Sequence, residues 1–199
     1  MHHALTFASH GVRLLPLAPL HAEHLFDAID PGLWAGMAVP RPESTEELAG
    51  LFCMRLEDPR ALPFAVADES TGALAGATCL LELDLAQGRA EIGGTFFARR
   101  FWGSGANAAS KLLLLGHAFE GLGLARVAFR VDTRNLRSAH ALARLGAVYE
   151  GTLRAHRPDH EGGRIDTAVF SVLDDEWPAV RSRLLARLEP RGEAPLDAA

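Results

Sequence analysis

The nine residues Arg99-Arg100-Phe101-Trp102-Gly103-Ser104-Gly105-Ala106-Asn107 constrain the fold most, because they follow a strand pattern and open a helix pattern. Before them, Arg89 to Ala98 reads as a strand with the pair Gly93-Gly94 inside it. Paired interior glycines weaken a strand and mark a bulge or a close backbone approach by a ligand. After them, Ala108, Leu112, Leu115 and Phe119 fall on one helical stripe, Gly121 and Gly123 stop it, and Ala125 to Asp132 is the next strand. Strand, helix and strand in this order require a parallel pair. A glycine loop at the helix start leaves backbone N–H groups free to meet an anion, and the helix dipole adds partial positive charge.

The rest of the chain supplies an antiparallel surround. Gly11 to Leu17 suits a first strand, and Pro19 to Asp30 a first helix ended by Pro31 and Gly32. Ser44 with Glu47 forms a capping box that opens a helix over residues 45–57. Leu62 to Asp68 and Ala73 to Leu85 flank the turn Glu69-Ser70-Thr71-Gly72 as a hairpin, and Ala86-Gln87-Gly88 turns the chain into the glycine-pair strand. Leu136 to Leu145 is a helix ended by Gly146, Val148 to Ala155 and Arg164 to Val172 form a closing hairpin, and a last helix starts near Asp174-Asp175. The expectation is an α/β domain with a mixed, mostly antiparallel sheet and one parallel strand pair, spanning residues 11–189 between loose tails at 1–10 and 190–199.

Composition narrows the function. With 20 Lys plus Arg against 25 Asp plus Glu, the net charge is -5, which argues against a globally basic nucleic-acid or membrane-surface binder. Any anion must be met locally, and Arg99 and Arg100 are the expected source of charge. Lys111 is the single lysine and Tyr149 the single tyrosine. Cys53 and Cys79 form no CxxC pair, and no apolar run approaches the roughly 20 residues of a membrane span, so a reducing cytoplasmic setting is expected. His21 and His24 share a helix turn but lack a third ligand of suitable spacing, so no metal is expected.

Three nucleotide motifs compete for the glycine loop. Walker A needs a glycine immediately before its lysine, and Ser110 stands there before Lys111. Gly103-Ser104-Gly105-Ala106-Asn107-Ala108 matches G-x-G-x-x-A, but Arg99 to Trp102 separate it from the strand that a dinucleotide turn leaves directly. The third pattern, Arg100-x-x-Gly103-x-Gly105, resembles the pyrophosphate signature of the GNAT superfamily of acetyl-CoA-dependent N-acetyltransferases. Glu91-Ile92-Gly93, Trp102-Gly103-x-Gly105, Asn135-x-x-Ser138, Leu145-Gly146 and Glu150-Gly151-x-Leu153-Arg154 recur in the order of the RimJ/RimL-like branch, and the likeness runs more loosely from Gly11 to Trp177.

The resemblance implies acetyl-CoA as co-substrate, with its pyrophosphate on Arg99, Arg100, Trp102, Gly103, Ser104, Gly105, Ala106 and Asn107. It places pantetheine along Thr95, Phe96 and Phe97, between parallel strands that splay apart, with Asn135 touching a pantetheine amide. Arg134 and Arg137 become candidates for the adenosine phosphate. Glu91 is the candidate base, its alternative being a cross-strand partner of Arg89 or Arg164. Many relatives place a tyrosine seven residues after the helix asparagine, to protonate the departing thiolate. Leu142 stands there, which moves that role to Ser138 or water. The branch often has a glutamate where Ala109 stands and a second carboxylate where Arg157 aligns, and both are replaced here.

Trp34, Met37 and the hairpin cluster His156, Arg157, Asp159 and His160 are candidates to border the acceptor cleft. The expected reaction is acetylation of a primary amine, preferably the α-amine of a protein, peptide or amino acid, in a ternary complex; the branch resemblance also allows a homodimer. At pH 7 an α-amine loses its proton for roughly 1.4 kcal/mol, a lysine for roughly 4.6. A small-molecule acceptor such as an amino sugar or polyamine is the alternative, and a non-catalytic CoA sensor the alternative of another class.

Overall fold

The computed structural model describes residues 3–159 and 162–189, which leaves His160 and the expected tail at 190–199 outside the described residues. The strands are β1 (Phe7–Ser9), β2 (Val12–Pro16), β3 (Leu62–Asp68), β4 (Leu74–Asp84), β5 (Arg89–Phe97), β6 (Arg126–Asp132), β7 (Val148–Pro158) and β8 (Arg164–Leu173). They form one sheet in the order β1-β2-β3-β4-β5-β6-β8-β7. Only β5 and β6 run parallel within it. The helices are α1 (Ala22–Leu25), α2 (Pro31–Trp34), α3 (Thr45–Glu57), α4 (Ala106–Gly116), α5 (Leu136–Leu145) and α6 (Trp177–Leu188).

Local chemistry sets the boundaries. Ser44 Oγ accepts from the Glu47 N–H and Glu47 Oε2 accepts from the Glu43 N–H at 2.8 Å, which starts α3 where the capping pattern predicts. Gly146, at φ 100°, closes α5 in the left-handed conformation that other residues adopt only at a cost. Two expectations need correction. Residues 7–9, expected in a loose tail, pair with β2 as an edge strand, Phe7 ring-packing on Phe64 and His117. The single helix expected from Pro19 is broken into short turns, and Pro31 begins α2 rather than ending a helix, because Asp30 Oδ1 caps it by accepting from the Leu33 N–H at 2.9 Å.

The sheet buries both faces. On one, Ala90, Ile92 and Phe97 of β5 pack with Leu112, Leu114 and Leu115 of α4, Leu142 of α5 and Trp177 of α6. On the other, Phe96 joins Leu25, Trp34, Leu48 and Phe52 of α1 to α3. Each large apolar side chain so buried contributes roughly 1.5–3 kcal/mol, so the strand that changes its pairing at Gly93-Gly94 is still clamped between two layers. No helix among the described residues is long and apolar enough to cross a membrane.

Candidate active site

The site begins where pairing stops. β5 and β6 share the rungs Arg89↔Arg126, Ala90↔Val127 and Glu91↔Ala128, and no rung follows. On its other side β5 shifts register against β4 between Ala77 and Cys79, opposite Gly93-Gly94, and Gly94 takes φ 57°. This bulge exchanges the faces of the strand. Glu91 and Gly93 share one face, the Gly93 Cβ position lying 3.0 Å from Glu91 Oε1. Beyond the bulge Thr95 turns toward α4, and Phe96 and Phe97 enter opposite core layers. The wedge between β5 and β6 opens a cavity of about 650 Å³ that Glu91, Thr95, Phe96, Phe97, Trp102, Gly103, Gly105, Asn107, Asn135, Ser138, Met37 and His156 all line.

At one end the glycine loop meets α4. Gly103 and Gly105 adopt φ 81° and 88°, and Gly105, as the N-cap, has no side chain to accept from the first turn. The opening N–H groups of a helix have no intrahelical acceptor, so this end suits an anion. Ser104 and Ala106 do not line the cavity; Ser104 Oγ donates to the Phe101 carbonyl at 2.7 Å and accepts from the Ala106 N–H.

The charge expected from Arg99 and Arg100 is placed elsewhere. Arg99 makes a two-pronged ion pair with Asp30, Nη2 lying 2.7 Å from Oδ1, and Arg100 donates to the Leu74 carbonyl at 3.1 Å. Neither lines the cavity, whereas Arg137, Arg144 and Arg187 do. The Arg137 guanidinium stacks 3.7 Å from the Trp102 ring centroid, and the Trp102 Nε1 donates to the Phe97 carbonyl at 2.8 Å. Arg134, the other phosphate candidate, is held by Asp132 and Asp159.

At the other end Glu91 is buried and faces Arg130, whose Nε lies 3.2 Å from Oε2 without hydrogen-bond geometry, so that oxygen has no hydrogen-bond partner. Arg130 instead forms two hydrogen bonds to Glu82. Burial outweighs the nearby Arg130 charge and pushes the Glu91 carboxyl up to about 6. The expected alternative partners Arg89 and Arg164 are replaced by Arg130. Trp34 is a core residue rather than a cleft one, its Nε1 donating to the Val39 and Pro40 carbonyls at 3.0 Å and its ring 5.3 Å from that of Phe96. His156 Nδ1 lies 3.1 Å from Thr167 Oγ1.

Asn135 caps α5, its Oδ1 accepting from the Ser138 N–H at 3.1 Å, and both side chains line the cavity with Leu142 one turn further. Tyr149 lies on β7 with its hydroxyl 2.8 Å from Thr152 Oγ1 and does not line the cavity. Several charged lining residues escaped the motif reading, Arg55, Arg60, Glu82, Arg144 and Arg187 among them, and two carried a sequence signal. Arg130 carried a weak signal as a charge inside the strand ARVAFRVD, and Lys111 a stronger one as the lone charge within the apolar helix run ANAASKLLLL.

The pattern of the acetyltransferase (GNAT) domain matches residues 12–148, and the chain belongs to this family of N-acetyltransferases. A crystal structure described as an acetyltransferase from T. thermophilus is 38% identical, with TM-score 0.86, and the match covers 94% of this chain and 99% of that one. A GCN5-related N-acetyltransferase from Brucella melitensis is 30% identical, with TM-score 0.86, covering 94% of this chain and 87% of that one. Mycobacterium smegmatis RimJ in complex with CoA-disulfide (21% identity, TM-score 0.74, covering 91% of each chain) shares the fold. So does spermidine N-acetyltransferase from Vibrio cholerae in complex with CoA and spermine (20%, 0.72, covering 85% of this chain and 99% of that one). Among curated proteins, none matches the sequence.

Acetyltransferases of this family use acetyl-CoA, and the residues present fit it. The left-handed glycines and open helix start suit a pyrophosphate, Arg137, Arg144 and Arg187 add positive charge to the cavity wall, and the wedge offers strand backbone to an extended amide chain.

Proposed function

We propose that the protein transfers the acetyl group of acetyl-CoA to an α-amine of a protein, peptide or amino acid, in the manner of the RimJ/RimL-like branch. The observation that carries this reading is the Glu91 carboxylate, buried at the mouth of the wedge with one oxygen unpartnered and its carboxyl pushed up to about 6. Such a group is ionised at neutral pH and basic enough to take a proton from an incoming ammonium, directly or through one water. The mismatch with an α-amine near 8 is about half that with a lysine-type amine near 10.4. Charge favours the same class. Around Glu91 the cavity is lined by Arg55, Arg60, Arg130 and Arg157 against Asp58, Glu82 and Glu91 itself, which is a poor setting for a polycation.

The other residues take positioning roles. The Gly103–Gly105 loop, the α4 start and Arg137 hold the pyrophosphate end, with Trp102 as the platform for Arg137. Thr95 and Phe96 line the path of the pantetheine, Asn135 offers its amide to it, and the Ser138 hydroxyl steadies the sulfur. Met37 and His156 border the acceptor.

Thiol release from acetyl-CoA with a panel of N-terminal peptides, free amino acids, amino sugars and polyamines tests the reading. Turnover confined to α-amines supports it, and turnover with polyamines or amino sugars alone replaces the acceptor class. Tight CoA binding with no release across the panel would mark a sensor.

A further inference from the structure

We propose that Lys111, on the face of β5 opposite Glu91, is the acid that protonates the departing CoA thiolate; this deepens the acetyl-transfer reading and rests on it. The Lys111 side chain leaves α4 and enters the floor of the wedge. Its Nζ lies 3.3 Å from Thr95 Oγ1 on β5 and 5.6 Å from the ring centroid of Phe129 on β6. Both neighbours stand beyond Glu91↔Ala128, the last rung between these strands. The amine therefore spans the opening that the missing rungs leave. Thr95 in turn bonds Thr78 of β4 at 2.8 Å, which fixes the hydroxyl that Nζ meets.

A thioester threaded through this wedge toward Glu91 has a carboxylate ahead of it and an amine beneath it. Burial that tunes a carboxylate up and a lysine down toward the working pH equips the first as a base and the second as an acid. Glu91 is pushed up to about 6, and burial pushes the Lys111 ammonium down to about 7. No carboxylate lines the small cavity around Lys111 among the described residues. Asn107 and Ala108 of α4, Ala141, Leu142 and Leu145 of α5, and Leu184 and Arg187 of α6 face it there, and the main cavity that Lys111 also lines adds Arg130, Arg137, Arg144 and Glu91, so burial rather than any one charge lowers the ammonium.

The step balances. The acceptor nitrogen, made neutral once Glu91 has passed its ammonium proton on to solvent, attacks the thioester carbon, the C–N bond forms and the C–S bond breaks with its electron pair on sulfur. Glu91 takes the proton lost by nitrogen, and the Lys111 ammonium gives one to the thiolate, leaving amide, neutral CoA thiol, protonated Glu91 and neutral Lys111. Solvent then returns one proton from Glu91 to Lys111. Transfer from an ammonium near 7 to an ordinary thiolate near 8.5 runs downhill.

Because Lys111 is the only lysine, labelling lysine with 13C at Cε gives one NMR signal from the intact protein. Titrated free, with CoA and with the sulfur-free analogue desulfo-CoA, the signal should show a midpoint displaced by CoA and left near its free value by desulfo-CoA. Equal midpoints with both bound ligands overturn the proposal, while failure of CoA to bind at all overturns the acetyl-transfer reading beneath it. Kinetics give the second arm. Lys111→Met and Lys111→Arg should each lower kcat about a hundredfold and erase the alkaline limb of its pH profile, with KM for acetyl-CoA within about twofold. Rescue by Lys111→Arg, or an alkaline limb that survives in Lys111→Met, shows a structural or purely electrostatic role instead.

Discussion

Arg130 stands 3.2 Å from Glu91 yet forms its hydrogen bonds with Glu82, so the Glu91 carboxylate is charge-compensated without being occupied. A carboxylate fully engaged by a bidentate arginine is a poor base. This one keeps an oxygen available.

Glu91→Gln should therefore lower kcat by about a hundredfold or more while leaving CoA affinity within about twofold. Since burial lifts the Glu91 carboxyl to about 6, wild-type activity should fall as pH drops through that value, where the base takes a proton from solvent. A kcat profile over pH 5–8 checks both points. An acid limb that persists in Glu91→Gln assigns the limb to another group.

The glycine loop makes a second expectation. A Cβ at Gly103 would meet nothing within 4 Å, so Gly103→Ala tests backbone conformation alone, whereas at Gly105 it would also press on Leu188 at 3.3 Å. A left-handed backbone costs a non-glycine residue roughly 1–2 kcal/mol, which corresponds to about tenfold in affinity if the loop relaxes to escape it. Calorimetric titration with CoA should show that loss for Gly103→Ala and a larger one for Gly105→Val. Wild-type affinity in both would remove the loop from the site.

The arginines should separate by partner rather than by sequence position. Arg99 is committed to Asp30, lying 4.6 Å from the Trp102 ring but outside the cavity lining, whereas Arg137 lines the cavity 3.7 Å from the same ring. Arg137→Ala should weaken CoA about tenfold, the worth of one charge-assisted contact, and Arg99→Ala by less than about twofold. The reverse order in the same titration would return Arg99 to the phosphate.

Burial of Lys111 has a thermodynamic signature independent of activity. Its ammonium is held near 7 instead of the ordinary 10.5, so between those values the unfolded chain carries a proton that the folded chain sheds. Stability from this group is thus lowest below about 7 and recovers as pH rises toward 10.5. Lys111→Met should exceed wild type by on the order of a few kcal/mol at pH 6, an advantage shrinking by about 1 kcal/mol per pH unit from 7 to 9. Urea midpoints of the two proteins across that range measure it.

Legibility in the sequence tracks how local each determinant is. Ser44 and Glu47 carry the α3 boundary in their own side chains, and Gly146 the end of α5, so both are readable. The Gly93-Gly94 pair announces the bulge for the same reason. Residues 7–9 become a strand only because β2 is beside them, which no local pattern records. Asp30-Pro31 is itself a helix-start pattern, and reading the proline as a terminator hides it. Motif spacing singles out Glu91, Gly103 and Gly105, which all line the cavity, but does not say which arginines face inward, since that depends on Asp30 and Leu74 arriving from distant segments.

Apart from the edge pair β1–β2, the three-rung ladder between β5 and β6 is the narrowest hydrogen-bonded seam in the sheet, and it joins the β1–β5 half to the β6–β8 half. A ligand bound along that seam ties the halves together, so mass action makes resistance to unfolding a function of ligand concentration, rising by about 2.7 kcal/mol at a hundred times Kd. In a cell the lifetime of this chain would then report the supply of the molecule it consumes.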